Sequence, residues 1–320
     1  SAASDVYKRQ IMVIGESESR DYMSAFTDYP VETTPWLSAK KTDKHFILFP
    51  NAYSCIASTA PCLSNALTEI NQYNTKEFYS SCSVIDIAHK AGYTTHWYSN
   101  QGNLGDSSTA VTIIANTCKT SKWTKQNLNQ VQYDEALLDY LDEVDPTKNN
   151  FVVIHLKGNH FNFINRYPQN FAKFSKPWKY DLIPNYIDSI RYTDYILQKI
   201  WEYGMQKLNL QAMLYFSDHA TVPDKRRSPN FDGFGSVRIP MFTYFSDEYI
   251  TKHSDIFSAL SVNRDKYFTN DLIYELVCGI LDIQSNHYDE TNSLASSNYK
   301  YTHDMLKTGL GKIWIKDDNN

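Results

Sequence analysis

The chain has 320 residues, with 31 Lys plus Arg against 36 Asp plus Glu, a net charge of −5, and 42% hydrophobic residues. This composition excludes a mainly disordered chain, and the absence of a basic excess excludes the electrostatic footprint of a nucleic-acid binder. No apolar run approaches the ~18 residues needed to span a bilayer.

In chain order, IMVIGES (11–17) reads as a short buried strand ending in Gly and a carboxylate, and HFILFPNAYS (45–54) as a second β-like run closed by Pro-Asn. SVIDIAHKAG (83–92) has helical spacing and a Gly stop, and YTTHWYSN (93–100) follows as a strand. YDEALLDYLDEV (133–144) places Leu137, Leu138 and Leu141 on one stripe of an amphipathic helix, and FVVIHL (151–156) is a buried-strand run. A long helix is predicted over 183–206, although Thr193 and Asp194 interrupt its apolar stripe. LQAMLYFSDH (210–219) is another buried strand. VRIPMFTYFS (237–246) contains Pro240, which predicts an edge strand or one that begins after the proline. NDLIYELVCGILDI (270–283) is helical. Strands alternating with helices predict an α/β fold, with a largely parallel sheet covered on both faces, as one domain over residues 11–320. The opening SAASDVYKRQ (1–10) is set apart as an atypical leader.

The five cysteines (Cys55, Cys62, Cys82, Cys118 and Cys278) include no CxxC and stand at no ligand spacing from a His, so they make no zinc pattern. Cys278 lies in an apolar run and is expected to be buried and reduced. In an oxidising compartment Cys82 and Cys118 are expected to be oxidised, and Cys55 with Cys62 as a further candidate pair.

Polar residues fall where parallel sheets collect ligands, at the carboxyl ends of strands. Glu16 follows one strand, His155 and His160 follow another, and Asp218-His219 follow a third. Each alone has a structural explanation, but an adjacent acid and imidazole suit a hard-to-borderline divalent metal. In SCIASTAPCLSNALTEI (54–70), Thr59 reads as a helix N-cap with Pro61 in the first turn. A hydroxyl there sees free backbone N–H groups and the positive end of the helix dipole, and a nearby metal would make it a nucleophile.

The ordered set VIGESESRDYMSAFTDYPVETTPWL (13–37), FPNAYSC (49–55), the Thr59 segment, HWYSNQG (96–102), YDEALL (133–138), HLKGNHFNFINRYP (155–168) and YFSDH (215–219) resembles the catalytic domain of the phosphoethanolamine transferases. These belong to the alkaline phosphatase/sulfatase superfamily, and the lipopolysaccharide-core-modifying branch is the nearer match. The resemblance implies a three-layer α/β/α sandwich and zinc held by Glu16, Thr59, Asp218 and His219, with Thr59 as the catalytic nucleophile. It implies phosphate or second-metal contacts from His160 and Asn100. The family's SDHGE is here SDHAT, with no later His in the segment, so Arg226 and Arg227, with Lys225, stand as phosphate-binding candidates. The implied reaction moves phosphoethanolamine from phosphatidylethanolamine to lipopolysaccharide or another periplasmic glycan through a phosphoethanolamine-threonine intermediate. A membrane domain is expected upstream, which places this chain at the periplasmic face of the bacterial inner membrane. The rivals are a glycerolphosphate transferase, a sulfatase (whose CxPSR or SxPSR pentapeptide is missing) and a degenerate, non-catalytic domain.

Overall fold

The computed structural model describes residues 7–102, 109–125, 131–225 and 233–319. In chain order the strands are β1 (Arg9–Gly15), β2 (Phe46–Leu48), β3 (Ala52–Tyr53), β4 (Thr94–Ser99), β5 (Thr120–Trp123), β6 (Asn150–His155), β7 (Ala212–Ser217), β8 (Met241–Phe245), β9 (Phe268–Thr269), β10 (Lys307–Thr308) and β11 (Ile313–Trp314). The helices are α1 (Pro35–Lys40), α2 (Thr59–Ala66), α3 (Val84–Lys90), α4 (Ala110–Asn116), α5 (Leu138–Leu141), α6 (Leu182–Tyr203), α7 (Asp247–Lys252), α8 (Ser254–Val262) and α9 (Ile273–Ile280).

Seven strands form the central sheet in the order β2-β8-β7-β1-β6-β4-β5, and within it only β8 runs antiparallel to its neighbours. Strand periodicity sends alternate side chains to opposite faces. Met12, Ile14, Phe151, Val153, Leu214 and Phe216 therefore pack into one core with α2, α3 and α9. Ile11, Val13, Val152, Ile154, Met213 and Tyr215 pack into the other with α1, α5 and α6. Burial on both faces explains why these strands read as unbroken apolar runs. The result is the expected three-layer α/β/α architecture.

The structure revises several sequence expectations. Arg9 and Gln10 belong to β1, paired with Asn150 and Phe151, so the strand begins inside the segment set apart as leader. Of the two readings offered for Pro240 the second holds: β8 starts after it, and lies inside the sheet between β2 and β7. The 45–54 run divides into β2, in the main sheet, and β3, which pairs with β9. The 133–144 segment is a 3₁₀ turn followed by the single turn α5. In α6 the polar Thr193 and Asp194 are buried in the helix face instead of breaking it. Asp194 is there because α1 lacks a side-chain cap of its own. The carboxylate accepts the Trp36 and Leu37 amides (2.9 and 3.1 Å), capping α1 from across the layer.

All five cysteines are buried free thiols. This agrees with the expectation for Cys278 and corrects the proposed pairing of Cys82 with Cys118. The Cys82 sulfur lies beside Glu69 and His287, whereas the Cys118 thiol lies against Thr95. Cys55 and Cys62 are neighbours, but the Cys62 thiol donates to the Asp218 carbonyl at 3.1 Å.

Candidate metal centre and active site

The register of the sheet assembles the site. β1 lies between β7 and β6, with Gly15 opposite Ser217 and Ile14 opposite His155. The residues one step beyond, Glu16 and Asp218, thus leave adjacent parallel strands at the same level, about 4.8 Å apart by strand spacing alone. A tight turn follows Glu16, with Ser17 at φ +58°. The Ser17 hydroxyl donates to Glu16 Oε1 (2.9 Å) and its amide to Asp218 Oδ1 (3.1 Å).

Thr59 approaches from α2. It is the first residue of that helix, not its cap; Ser58 holds the cap position without a side-chain bond. The Thr59 hydroxyl is therefore released from capping and donates to Asp218 Oδ2 (2.6 Å) and Glu16 Oε2 (3.0 Å), with His219 Nε2 at 3.5 Å. His219 Nδ1 lies 2.6 Å from the Ala220 carbonyl. With Nδ1 held by that carbonyl, Nε2 faces the carboxylates, 3.4 Å from Glu16 and 3.6 Å from Asp218.

The electrostatics follow from burying two acids together. Burial and the Glu16 charge push Asp218 up to about 8. Burial also opposes ionisation of Glu16, but hydrogen bonding from His219 and its charge override this and hold Glu16 well below the usual carboxylate range. His219 rises to about 9, because Asp218 and Glu16 outweigh its own burial. Two carboxylates, an imidazole and a hydroxyl converging in a buried spot are the donor set of a divalent zinc-type cation.

The supporting groups carry little sequence signal. The Asp218 carbonyl accepts Ser54 Oγ (2.6 Å), Asn270 Nδ2 (2.8 Å) and the Cys62 thiol, fixing the strand end against the start of α2. Tyr186 bonds the Ser17 carbonyl and the Ser19 amide, and Tyr215 donates to the buried Glu18.

His160 does not join the four-residue cluster. It lines an adjoining cavity of about 780 Å³ with Ser17, Phe161, Tyr180, Pro223 and Lys225. Asn100 is fully buried and lies apart from that cavity lining. Its amide nitrogen donates to the Gln132 carbonyl and Asp134, and its oxygen accepts from Thr124, so it holds a neighbouring loop in place. Asp134 in turn accepts the Lys157 and Gly158 amides (2.8 and 2.9 Å), shaping the loop beneath Glu16. Arg226 and Arg227 lie outside the described residues.

Two cations were missed although they sit inside the HLKGNHFNFINRYP motif. Lys157 and Arg166 are partly buried and close enough to feel the charges of Glu16 and Asp134. The signal available was their position in the loop that follows β6.

A sulfatase family profile matches residues 9–277. The phosphoethanolamine transferase EptC of Escherichia coli is 29% identical over 317 residues, covering 91% of this chain and 54% of the relative. The chain thus spans about half the length of that relative. In structure, the zinc complex of the C-terminal periplasmic domain of E. coli EptC superposes with a TM-score of 0.85 at 24% identity, covering 97% of this chain and 93% of that one. The integral membrane lipooligosaccharide phosphoethanolamine transferase EptA of Neisseria meningitidis gives 0.75 at 22% identity, covering 92% of this chain and 58% of that one. Among the described residues of this chain no helix is long and apolar enough to cross a membrane. With its α/β/α sandwich, its strand-end acids and a profile match over most of its length, the chain belongs to the sulfatase family.

Proposed function

We infer that the chain is the catalytic domain of a zinc-dependent phosphoethanolamine transferase that takes its head group from phosphatidylethanolamine and delivers it to lipopolysaccharide, at lipid A or a core sugar, or to another periplasmic glycan. The observation that carries this reading is the Thr59 hydroxyl, which among the described residues bonds no backbone group and is set 2.6 and 3.0 Å from two buried carboxylates. A threonine needed only for structure would cap the helix.

Glu16, Thr59, Asp218 and His219 would hold the zinc, which when bound supplies charge to stabilise a deprotonated threonine oxygen and the phosphoryl oxygens. Thr59 Oγ1 attacks the phosphorus of the donor, its proton being within reach of Asp218 Oδ2. The P–O bond to diacylglycerol breaks, and the leaving oxygen takes up that proton as diacylglycerol departs. A sugar hydroxyl of the acceptor then attacks the phosphorus of the Thr59 ester, transferring phosphoethanolamine and restoring the threonine. Lys157 and Arg166 place positive charge behind Glu16, and His160 faces the cavity in which the phosphoryl group would lie. The length of EptC and the membrane-bound relative EptA support placing the domain beside the inner membrane, facing the periplasm.

The test is release of diacylglycerol from phosphatidylethanolamine in detergent micelles. Wild type should release it and Thr59→Ala should not; equal release by both would refute the reading.

A further inference from the structure

A second cluster of ligand-type side chains lies away from Thr59. Glu69 follows α2, Cys82 lies two residues before α3, and His287 lies beyond α9. His287 Nδ1 is 3.1 Å from both carboxylate oxygens of Glu69, and one ligand atom from each of the three residues falls within 4.8 Å of the others. Zinc bound at ~2.0–2.3 Å to N, O and S in a tetrahedron needs ligand atoms ~3.3–3.7 Å apart, so closure requires only side-chain adjustment. We propose that Glu69, Cys82 and His287 form a structural zinc site, with water as the fourth ligand, that clips the segment after α2 to the start of α3 and to the segment after α9.

The surroundings are built to hold the three groups. The Glu69 side chain is only 3% exposed, and its Oε2 accepts the Cys82 amide at 2.6 Å. The His287 backbone is pinned by Tyr274, whose hydroxyl donates to its carbonyl (2.9 Å), and by Ser285 on its amide (3.0 Å). The His287 side chain is 38% exposed, which gives an ion a way in and room for the water. Softness also fits: a thiolate, an imidazole and a carboxylate together select zinc over calcium or magnesium.

Two lysines compete for the same atoms. Lys76 Nζ lies 3.0 Å from Glu69 Oε1 and Lys90 Nζ 3.9 Å from the Cys82 sulfur. Both sit on flexible stems, and Lys76 is half exposed, so each can swing into solvent when the ion binds. The clip matters because Glu69 stands three residues beyond the end of α2, the helix that begins at Thr59.

Chelator-stripped protein titrated with Co(II) tests this independently of transferase activity. The proposal expects two equivalents, one of them accompanied by thiolate-to-cobalt charge-transfer absorption. Cys82→Ser should lose that absorption and one equivalent while keeping the other, which also reports that the variant is folded. Lys76→Ala should keep both equivalents and bind the thiolate-site ion up to about fivefold more tightly, the worth of a half-exposed ion pair. A titration without the thiolate band would overturn the proposal. So would a band that persists in Cys82→Ser, or weaker binding of the thiolate-site ion in Lys76→Ala.

Discussion

Gly158→Ala should injure the proposed metal centre although Gly158 has no side chain to offer. Gly158 sits at φ +58°, and a Cβ there would come within 2.9 Å of both the amide nitrogen and the carbonyl oxygen of Glu16. The left-handed conformation costs a non-glycine residue about 1–2 kcal/mol. Overpacking against atoms that cannot rotate away adds about 1–3 kcal/mol, for a total of about 2–5 kcal/mol. Relief requires moving the Glu16 main chain, and hence shifting its carboxylate relative to Asp218 and His219, so zinc affinity should fall about 10–100-fold as it does for other supporting-residue losses. Gly92→Ala is the matched control, because Gly92 has φ +90° with nothing within 4 Å of its Cβ position. It should show the conformational cost alone and wild-type metal binding. Urea unfolding and zinc titration of the two variants provide the comparison. If Gly158→Ala were no less stable than Gly92→Ala and bound zinc as wild type does, the packing argument would fail.

Asp134→Ala should cost about 3 kcal/mol in urea unfolding, since it strands the Lys157 and Gly158 amides; a loss under 1 kcal/mol would mean the loop finds other partners. Glu275, buried in α9, is pushed up to about 8 by burial. The folded protein therefore retains a proton that the unfolded chain releases near 4.5, and this group's contribution to stability declines as pH rises from about 4.5 to 8. Glu275→Gln should remove that decline, gaining about 1 kcal/mol or more over wild type at pH 9 and little at pH 5; parallel pH–stability curves would contradict this. Finally, the denatured protein prepared without reductant should titrate five thiols, and three or fewer would restore a disulfide.

Much of the site was readable because parallel strands end in it. Gly15 and Ser217 are followed directly by Glu16 and Asp218, so motif position predicted spatial position once the strands were found. The same logic failed for groups whose function depends on long-range contacts. Asn100 stands at the end of β4 like a ligand, but its amide is taken up by Asp134, Gln132 and Thr124, none predictable from local sequence. Asp194 looked like an interruption of the apolar stripe of α6 because the uncapped α1 amides that need it lie nearly 160 residues earlier. Thr59 was singled out as a helix cap, whereas it is the first helical residue, and its distance from a capping role leaves its oxygen to Asp218 and Glu16.

The most direct test of the central claim is the mass of the peptide containing Thr59 after brief incubation of the zinc-loaded protein with phosphatidylethanolamine and no acceptor. The expected result is an adduct equal to phosphoethanolamine less water, localised to Thr59 and absent in Thr59→Ala. Diacylglycerol release with an unmodified Thr59 peptide, or an adduct on Ser58, would contradict it.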